Sequence, residues 1–341
     1  MAENTTDPLD IIYTPQQIVT IGTSYLDERR KNKGAGIPLG LASIDKDFLP
    51  ALPGELITVI GRPGNGKTGF MMRWARWRAE QLHLQGIEDR VVVYATWEQS
   101  IEELYAFNVA ADARLSVSDM ARGDITDEEW EEAMEAGAQR IRLPLWFIGH
   151  SLARRKRRPR LTMDTLAMAL QEIERWNEDK TQIDMVFVDY LQRIKFDGKP
   201  ESKTIGTSEV LDRLKDGALA NGCPFVVGVQ AIRDVDQQKP PVPNMDDGQW
   251  TSNIEQTSDK IFSLVRPRRY KKEGEQFGKA NKITVEGYCQ MLVCLLKQKL
   301  GVDNKAYWVY FDPAYNKLDE LEMRNVELNG NNSNPHWSDN I

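Results

Sequence analysis

An octapeptide near residue 60 has the residue types and spacing of a phosphate-binding loop. The sequence there runs Gly61-Arg62-Pro63-Gly64-Asn65-Gly66-Lys67-Thr68 and continues with Gly69. It fits the pattern G-x-x-x-x-G-K-S/T, whose glycines let successive backbone N–H groups turn toward phosphate oxygens. We predict that Lys67 reaches the β- and γ-phosphates and that the Thr68 hydroxyl ligates Mg²⁺. The loop therefore predicts binding of a nucleoside triphosphate with magnesium.

Two carboxylates follow apolar runs where they could complete a hydrolytic site. Asp189 ends the largely apolar run Ile183–Val188, the arrangement of an aspartate that positions Mg²⁺. Glu98 follows the run Val91–Thr96, and we expect it to be the general base that activates the attacking water. The alternatives are a turn-forming aspartate and a solvated glutamate at a helix entry. Asp184 begins its strand and so lies at the wrong end for either role.

A glutamine also ends an apolar run. Gln230 follows Phe225–Val229, where a neutral amide could sense the γ-phosphate and pass its state to the next loop. This signal is weak when taken alone.

Short apolar runs alternate with helical segments through the chain, and this alternation predicts an α/β fold. The expected strands are Leu56–Ile60, Val91–Thr96, Leu145–Ile148, Met185–Val188, Phe225–Val229, Ile261–Val265, Met291–Leu296 and Tyr307–Phe311. The phosphate loop lies between the first of them and a predicted helix over Phe70–Gln81. We expect a mainly parallel central sheet flanked by helices and closed by an antiparallel ribbon near the C-terminus.

The chain divides into three predicted parts. Residues 1–35 form a polar tail and a linker helix within Pro15–Lys33, residues 36–325 form the ATPase domain, and residues 326–341 form a tail rich in Asn and Ser that we expect to be disordered.

Composition bounds the function. The chain has 341 residues, 41% of them hydrophobic, and its apolar runs are too short to cross a bilayer. The first residues lack a signal-peptide pattern, so we expect a cytoplasmic protein without a membrane partner. The three cysteines lack metal-ligand spacing and are predicted to be free thiols. A net charge of −7 argues against a protein that coats nucleic acid with a generally basic surface, but it is compatible with a local basic channel.

Two charged runs interrupt this pattern. Asp124–Glu135 is acidic and carries Thr126 three positions before Glu129, which predicts a solvated helix that begins with a capping box. Arg154–Arg160 is strongly basic. It indicates either contact with nucleic-acid phosphate or an acidic partner, or a solvated loop.

Several segments, in order, resemble the C-terminal ATPase domain of the DnaB-type replicative helicases, which belong to the RecA-like superfamily. The resemblance runs from about residue 20 to residue 318, and the tetrapeptide Asp189-Tyr190-Leu191-Gln192 is its most specific element. The other matching segments are Gly36–Gly40 with Ile44 and Asp45, Pro53–Leu56, the phosphate loop, Glu98, Gly123–Trp130, Pro144–Ile148, Pro224–Gln230 with Arg233, Ile254–Gln256 with Asp259, and Lys297–Lys299.

The resemblance implies a RecA-like P-loop NTPase that assembles as a ring of six copies, with ATP at each interface. Such a ring moves along single-stranded DNA in its central channel, and the linker helix packs on a neighbouring copy. Gln230 matches the family's sensor glutamine. The DNA-binding candidates in or beside the two channel loops are Lys195, Lys199, Lys203, Arg233, Gln249, Trp250 and Ser252. Trp250 could either stack on a base or pack against its own loop.

The sequence departs from the family at three points. Lys297 and Lys299 stand where the family has Lys-x-Arg reaching a neighbour's γ-phosphate, and lysine lacks the multi-donor fork of arginine. We therefore expect slower hydrolysis or an arginine finger elsewhere. Gln249 stands where the family has an arginine in the second loop. The family's N-terminal primase-binding domain is not expected in this chain, which suggests a phage, plasmid, mobile-element or defence system.

These observations predict an ATP-dependent DnaB-like helicase or translocase that forms a ring on single-stranded DNA. Replication or mobile-element proteins are its expected partners. One alternative is a RecA-like ATPase that assembles on DNA without unwinding it, as a recombinase-like or loader platform. Another is an ATP-switched regulator whose basic run Arg154–Arg160 docks an acidic protein.

Overall fold

The computed structural model describes residues 12–31, 36–153, 161–196, 200–249, 253–277, 283–285, 287 and 289–320. Within these ranges, nine strands form one mixed sheet in the order β11-β10-β9-β6-β1-β5-β4-β2-β3. Their bounds are β1 Leu56–Gly61, β2 Arg90–Ser100, β3 Leu145–His150, β4 Gln182–Asp189, β5 Phe225–Gln230, β6 Lys260–Val265, β9 Gln290–Gln298, β10 Lys305–Asp312 and β11 Lys317–Glu320. A separate pair consists of β7 Gln276–Phe277 and β8 Ile283–Thr284.

The sheet is parallel from β6 through β1, β5, β4 and β2 to β3, and antiparallel from β6 through β9 and β10 to β11. The helices are α1 Pro15–Lys31, α2 Ala42–Asp45, α3 Lys67–Leu84, α4 Ile101–Ala113, α5 Val117–Arg122, α6 Asp127–Gln139, α7 Met163–Glu174, α8 Trp176–Asp179, α9 Lys203–Ala220 and α10 Ile254–Thr257. The fold is the predicted α/β fold with a mainly parallel sheet.

The sheet separates two apolar layers because alternate strand residues point to opposite faces. On one face, Ile57 and Val59 of β1 pack with Trp74 of α3. On the other face, Leu56 and Ile60 pack with residues of α7 and α9. All six residues of β1 are buried, as expected for a parallel strand covered by helices on both faces. The strand that leads into the phosphate loop is therefore rigidly held.

All eight predicted strands are present, with small differences at their ends. β2 continues four residues beyond Thr96, and β11 was not predicted because only Leu318 of its four side chains is buried. α3 begins at Lys67 inside the loop motif rather than at Phe70, and α6 has the predicted capping box between Thr126 and Glu129. Cys223, Cys289 and Cys294, all within the described residues, form no disulfide bond.

The described helices do not include one that is long and apolar enough to cross a membrane. The division of the chain at residues 35 and 325 stays a prediction, and the predicted tail 326–341 lies outside the described residues.

Candidate active site

Strand pairing brings the chemical residues to one edge of the sheet. Gly61, the last residue of β1, is paired with Gln230 on β5 and Leu264 on β6. Thr96 on β2 is paired with Asp189 on β4. Since these strands are parallel, their carboxyl ends meet at a single edge, which is where ligands bind in open α/β sheets. The phosphate loop, Asp189 and the end of β2 lie together there.

The phosphate loop is shaped by two glycines in the left-handed region. Gly64 has φ 76° and Gly66 has φ 88°, and Gly66 caps the N-terminus of α3. Lys67 folds back over the loop, and its Nζ donates to the carbonyl oxygens of Gly61 at 2.8 Å and Arg62 at 3.4 Å. Its ammonium therefore occupies the interior of the loop while α3 directs its N-terminal amides toward the same place.

Desolvation lowers the pKa of Lys67 to about 8, partly offset by the negative charges of Asp189 and Glu98, which favour the protonated form. A triphosphate in the loop would favour the protonated form more strongly. A bound triphosphate would thus keep Lys67 protonated to a higher pH than in the empty loop.

Asp189 is almost fully buried beside Thr68. Its Oδ2 accepts from the Thr68 hydroxyl at 2.7 Å and from the Tyr94 hydroxyl at 2.9 Å. Within the described part of the chain, its Oδ1 is buried without a hydrogen-bond partner. Burial raises the pKa of Asp189, and the bonds from Thr68 and Tyr94 and the charge of Lys67 oppose that rise. A buried carboxylate with a spare acceptor next to a threonine hydroxyl suits Mg²⁺, which prefers oxygen ligands.

Glu98 lies in an irregular stretch at the end of β2. The pairing of β2 with β3 shifts register between Ala95 and Ser100, so the strand leaves the regular ladder before it reaches Glu98. The side chain is 44% exposed and its Oε1 lies 3.7 Å from Nη2 of Arg193. An exposed pair at this distance contributes about 0–1 kcal/mol, so Glu98 can reorient toward a water or a phosphate. Sequence reasoning did not single out Arg193.

The outer side of the phosphate loop is held by residues that sequence reasoning missed. Arg62 makes a two-pronged ion pair with Asp236, with Nε and Nη2 donating at 2.9–3.1 Å. Asn65 donates to the Tyr270 hydroxyl at 3.1 Å, and that hydroxyl donates to Asp236 at 3.2 Å. Pro63, at the loop's tip, is exposed. The loop is therefore fastened to the segment that follows β5.

Arginines that follow β6 also line this loop. Arg266 donates from its backbone N–H to Asn65 at 3.0 Å and from Nη1 to the Gly64 carbonyl at 3.1 Å. A Cβ on Gly64 would lie 2.2 Å from Nη1 of Arg269. On the other side, a Cβ on Gly69 would lie 2.5 Å from the ring of Phe311. The basic run Arg266–Lys272 after an apolar strand was the available sequence signal for these contacts.

A glutamine joins the ends of β4 and β5 to the loop beyond. Gln192 accepts from the Gln230 backbone N–H at 3.0 Å, and its Nε2 donates to the carbonyl oxygens of Gln249 at 2.9 Å and Gln230 at 3.3 Å. The Gln249 N–H in turn donates to the Gln230 carbonyl at 2.8 Å. The side chain of Gln192 therefore forms hydrogen bonds with both the predicted sensor Gln230 and the predicted second channel loop at Gln249.

The two late lysines lie at the opposite edge of the sheet. β9 pairs Gln298 with Lys260 of β6, which pairs with Ile57 of β1. Ile57 lies four positions before Gly61, which is about 13 Å along a strand. Lys297 donates to the carbonyl oxygens of Glu255 and Ser258, whereas Lys299 is 69% exposed and lies 3.9 Å from Asp259. Neither lysine is placed to serve its own subunit's phosphate loop.

That amino edge also holds Asp184. Its carboxylate is buried and accepts from Arg78 at 2.6 and 2.8 Å, beside a cavity of about 540 Å³ lined by Arg90, Cys223 and others. Its role is a buried ion pair within the fold, away from the predicted chemistry.

The DNA-binding candidates follow the carboxyl ends of β4 and β5. Lys195 and Arg233 are exposed in the loops after these strands, and Lys203 is exposed at the first position of α9. Gln249 is half-buried next to Gln230. Lys199, Trp250, Ser252 and the basic run Arg154–Arg160 lie outside the described residues. The described candidates thus share the edge that carries the phosphate loop.

The family model for the DnaB-like helicase C-terminal domain matches residues 36–320. The chain is 26% identical to the replicative DNA helicase DnaC of Bacillus subtilis (strain 168) over 299 residues, covering 86% of this chain and 59% of that protein. It is 24% identical to the replicative DNA helicase DnaB of Rickettsia typhi over 304 residues, covering 85% and 58%. The chain therefore spans less than two thirds of the length of these relatives.

Solved structures agree on the fold. The ATPase domain of G40P superposes with a TM-score of 0.76 at 19% identity, covering 91% of this chain and all of that one. A DnaB-like replicative helicase, described with its primase interactions, superposes with a TM-score of 0.73 at 19% identity, covering 89% and 67%. At this identity the likeness concerns the RecA-like fold alone. With the family model spanning most of its length, the chain belongs to the DnaB-like helicase C-terminal domain family.

Proposed function

We propose that this chain hydrolyses ATP and uses the energy to move along single-stranded DNA as a ring-forming DnaB-like helicase. The observation that carries the proposal is the convergence of Lys67, Thr68, Asp189 and Glu98 at one edge of the sheet. The names of the curated relatives, replicative DNA helicases, support the coupling to DNA. We propose that the protein acts in the cytoplasm.

The residues around Asp189 fit a magnesium ion. Thr68 and Asp189 supply a hydroxyl and a carboxylate that lie 2.7 Å apart, and Asp189 Oδ1 has spare acceptor capacity. When bound, Mg²⁺ would neutralise charge on the β- and γ-phosphates. We assign Thr68 and Asp189 to hold it.

The other residues of the edge have separable roles. The amides of residues 61–69 would hold the phosphates, and Lys67 would exchange the carbonyls of Gly61 and Arg62 for phosphate oxygens. Glu98 would orient the attacking water and accept its proton. Gln230 would contact the γ-phosphate. Because Gln192 bonds the backbone of both Gln230 and Gln249, a shift at the sensor would reach the second channel loop.

The proposed assembly is a homo-oligomeric ring, most simply a hexamer. Lys299 is exposed and remote from its own phosphate loop, so it could only serve a neighbouring copy. α1 exposes Ile18, Ile21 and Tyr25 at spacings of three and four residues, a stripe that a neighbour could cover. We propose Lys195, Lys203, Arg233 and Gln249 as contacts to DNA phosphates. Replication or mobile-element proteins are the proposed further partners.

One observation favours a second candidate, a RecA-like ATPase that assembles on DNA without unwinding it. Lys297 is engaged by backbone carbonyls of its own chain, so the proposed contact with a neighbour's γ-phosphate falls to Lys299. A lysine lacks the planar fork with which arginine stabilises the transition state. Slow turnover would suit a recombinase-like or loader platform better than a motor.

Two variants test the hydrolytic site. Lys67→Ala should abolish ATP turnover because the loop loses the cation that contacts the transferred phosphate. Glu98→Gln should keep nucleotide binding and assembly while turnover falls about 100-fold or more, the contribution expected of a general base. Turnover and binding of a fluorescent ATP analogue should be measured side by side, with thermal unfolding as a check on folding. Undiminished hydrolysis by Glu98→Gln would remove Glu98 from this role.

A further inference from the structure

Tyr94 is a buried residue of β2 whose hydroxyl contacts Asp189 in the candidate magnesium site. Its side chain is fully buried, and its ring stacks on Phe187 of the paired strand β4, with centroids 5.9 Å apart and planes 14° apart. Its hydroxyl donates to Asp189 Oδ2 at 2.9 Å. Because alternate residues of a strand share a face, Phe187 and Asp189 point to the side of the sheet that α3 covers.

The consequence for Asp189 is a fixed orientation. Thr68 and Tyr94 both donate to Oδ2, whereas Oδ1 has no hydrogen-bond partner among the described residues. Two donors on the same oxygen oppose rotation of the carboxylate about the Cβ–Cγ bond. Thr68 is itself proposed to bind the ion. Tyr94 is the donor that does not bind the ion and that lies on a strand of the central sheet.

The hydroxyl is a dependable donor. A tyrosine hydroxyl carries its proton at neutral pH, and here it lies 2.9 Å from Asp189 Oδ2. The stacked contact with Phe187 also fixes the ring. A phenylalanine would keep that stacking and lose only the donor.

We infer that Tyr94 is a positioning residue for magnesium: its hydroxyl holds the Asp189 carboxylate in the orientation that the ion requires. This inference rests on the proposed function of Asp189 and extends it to a residue that does not touch the nucleotide. Partners that orient a metal ligand in this way change metal affinity by about 10- to 100-fold when removed.

The test is a binding measurement on the full chain. A fluorescent ATP analogue is titrated into wild type and Tyr94→Phe, first with EDTA and then at rising MgCl₂. We expect equal affinity in EDTA, and we expect Tyr94→Phe to need about tenfold more Mg²⁺ for the same tightening of binding.

Tyr307→Phe is the matched control. Tyr307 also donates to a carboxylate, Asp47 Oδ2 at 2.9 Å, in another part of the fold. It should lose comparable thermal stability while keeping the wild-type magnesium dependence.

Three results would count against the inference. If Tyr94→Phe shows the wild-type magnesium dependence, Tyr94 does not position Asp189. If its affinity falls equally in EDTA and in Mg²⁺, the hydroxyl has a general structural role. If wild type itself shows no magnesium-dependent nucleotide binding, the proposed function fails and the inference fails with it.

Discussion

Lys67 is held by the loop that it is proposed to serve, and this gives nucleotide binding a defined pH dependence. Desolvation lowers its pKa to about 8, and a bound triphosphate would raise that value again. Below pH 8 the lysine is already protonated, so pH should have little effect. Above pH 8 it must take up a proton on binding, so affinity should fall by up to about tenfold per pH unit.

The measurement is the dissociation constant of a fluorescent ATP analogue between pH 6.5 and about 9.5, a range that spans this pKa. Lys67→Arg is the control because a guanidinium stays charged throughout, so its profile should be flat. A flat profile for wild type would show that Lys67 binds as a permanently charged group.

Lys299 and Lys297 differ in ways that make a second prediction at this scale. Lys299 is exposed, whereas Lys297 is committed to the carbonyls of Glu255 and Ser258. If Lys299 is a weakened finger, Lys299→Arg should raise ATP turnover several-fold because arginine restores the planar fork. Lys297→Arg should give no gain. Equal turnover in wild type and Lys299→Arg would place the finger on another residue.

Residue types at fixed spacing were enough to predict which residues meet at the loop, because a phosphate cradle tolerates few alternatives. Thr68 and Asp189 lie 121 positions apart in sequence and 2.7 Å apart in space. Tyr94 and Arg266 could not be singled out in the same way. Each belongs to an apolar or basic run with an ordinary structural explanation, and only the packed sheet shows that they contact Asp189 and Asn65. The roles of all these residues stay predictions.

At the scale of elements, strand burial explains what could be predicted. β1, β4, β5 and β6 are buried on both faces, and such strands appear in sequence as short continuous apolar runs. The end of β2 and the edge strand β11 lack this signal. The pairing of β2 with β4 ends where Thr96 meets Asp189, and β2 continues beyond Thr96. Three of the four residues of β11 are polar.

Gln192 provides the prediction that belongs to this scale. Its amide ties the end of β5 to Gln249, so Gln192→Met should loosen the second channel loop while nearly keeping the side-chain volume. We expect turnover without DNA to fall less than turnover with single-stranded DNA, so that the stimulation ratio moves toward 1.

Gln298→Met is the matched control for that variant. Gln298 is buried and, like Gln192, forms hydrogen bonds with backbone groups, here those of Leu49 and Asp47, but it lies at the amino edge of the sheet. It should cost similar stability and keep the stimulation ratio. An unchanged ratio in Gln192→Met would show that the sensor and the loop are not coupled through this side chain.

At the scale of the whole molecule, two features support the proposal that a second copy of the chain binds this one. Lys299 lies at the edge opposite its own phosphate loop, and the exposed stripe of Ile18, Ile21 and Tyr25 on α1 has apolar side chains that are at least half exposed. In the proposed ring, Lys299 of one chain would complete its neighbour's site, and a neighbouring chain would cover the stripe on α1. The same arrangement would bring the described DNA-binding candidates of successive copies to a common channel.

The most direct measurement is ATP turnover with and without single-stranded DNA, run beside strand displacement on a forked duplex with Lys67→Ala as the control. The proposed function predicts that single-stranded DNA stimulates turnover and that wild type displaces the strand in an ATP-dependent manner, while Lys67→Ala does neither. Turnover or DNA binding without displacement would contradict the helicase and favour an ATPase that assembles on DNA as a platform.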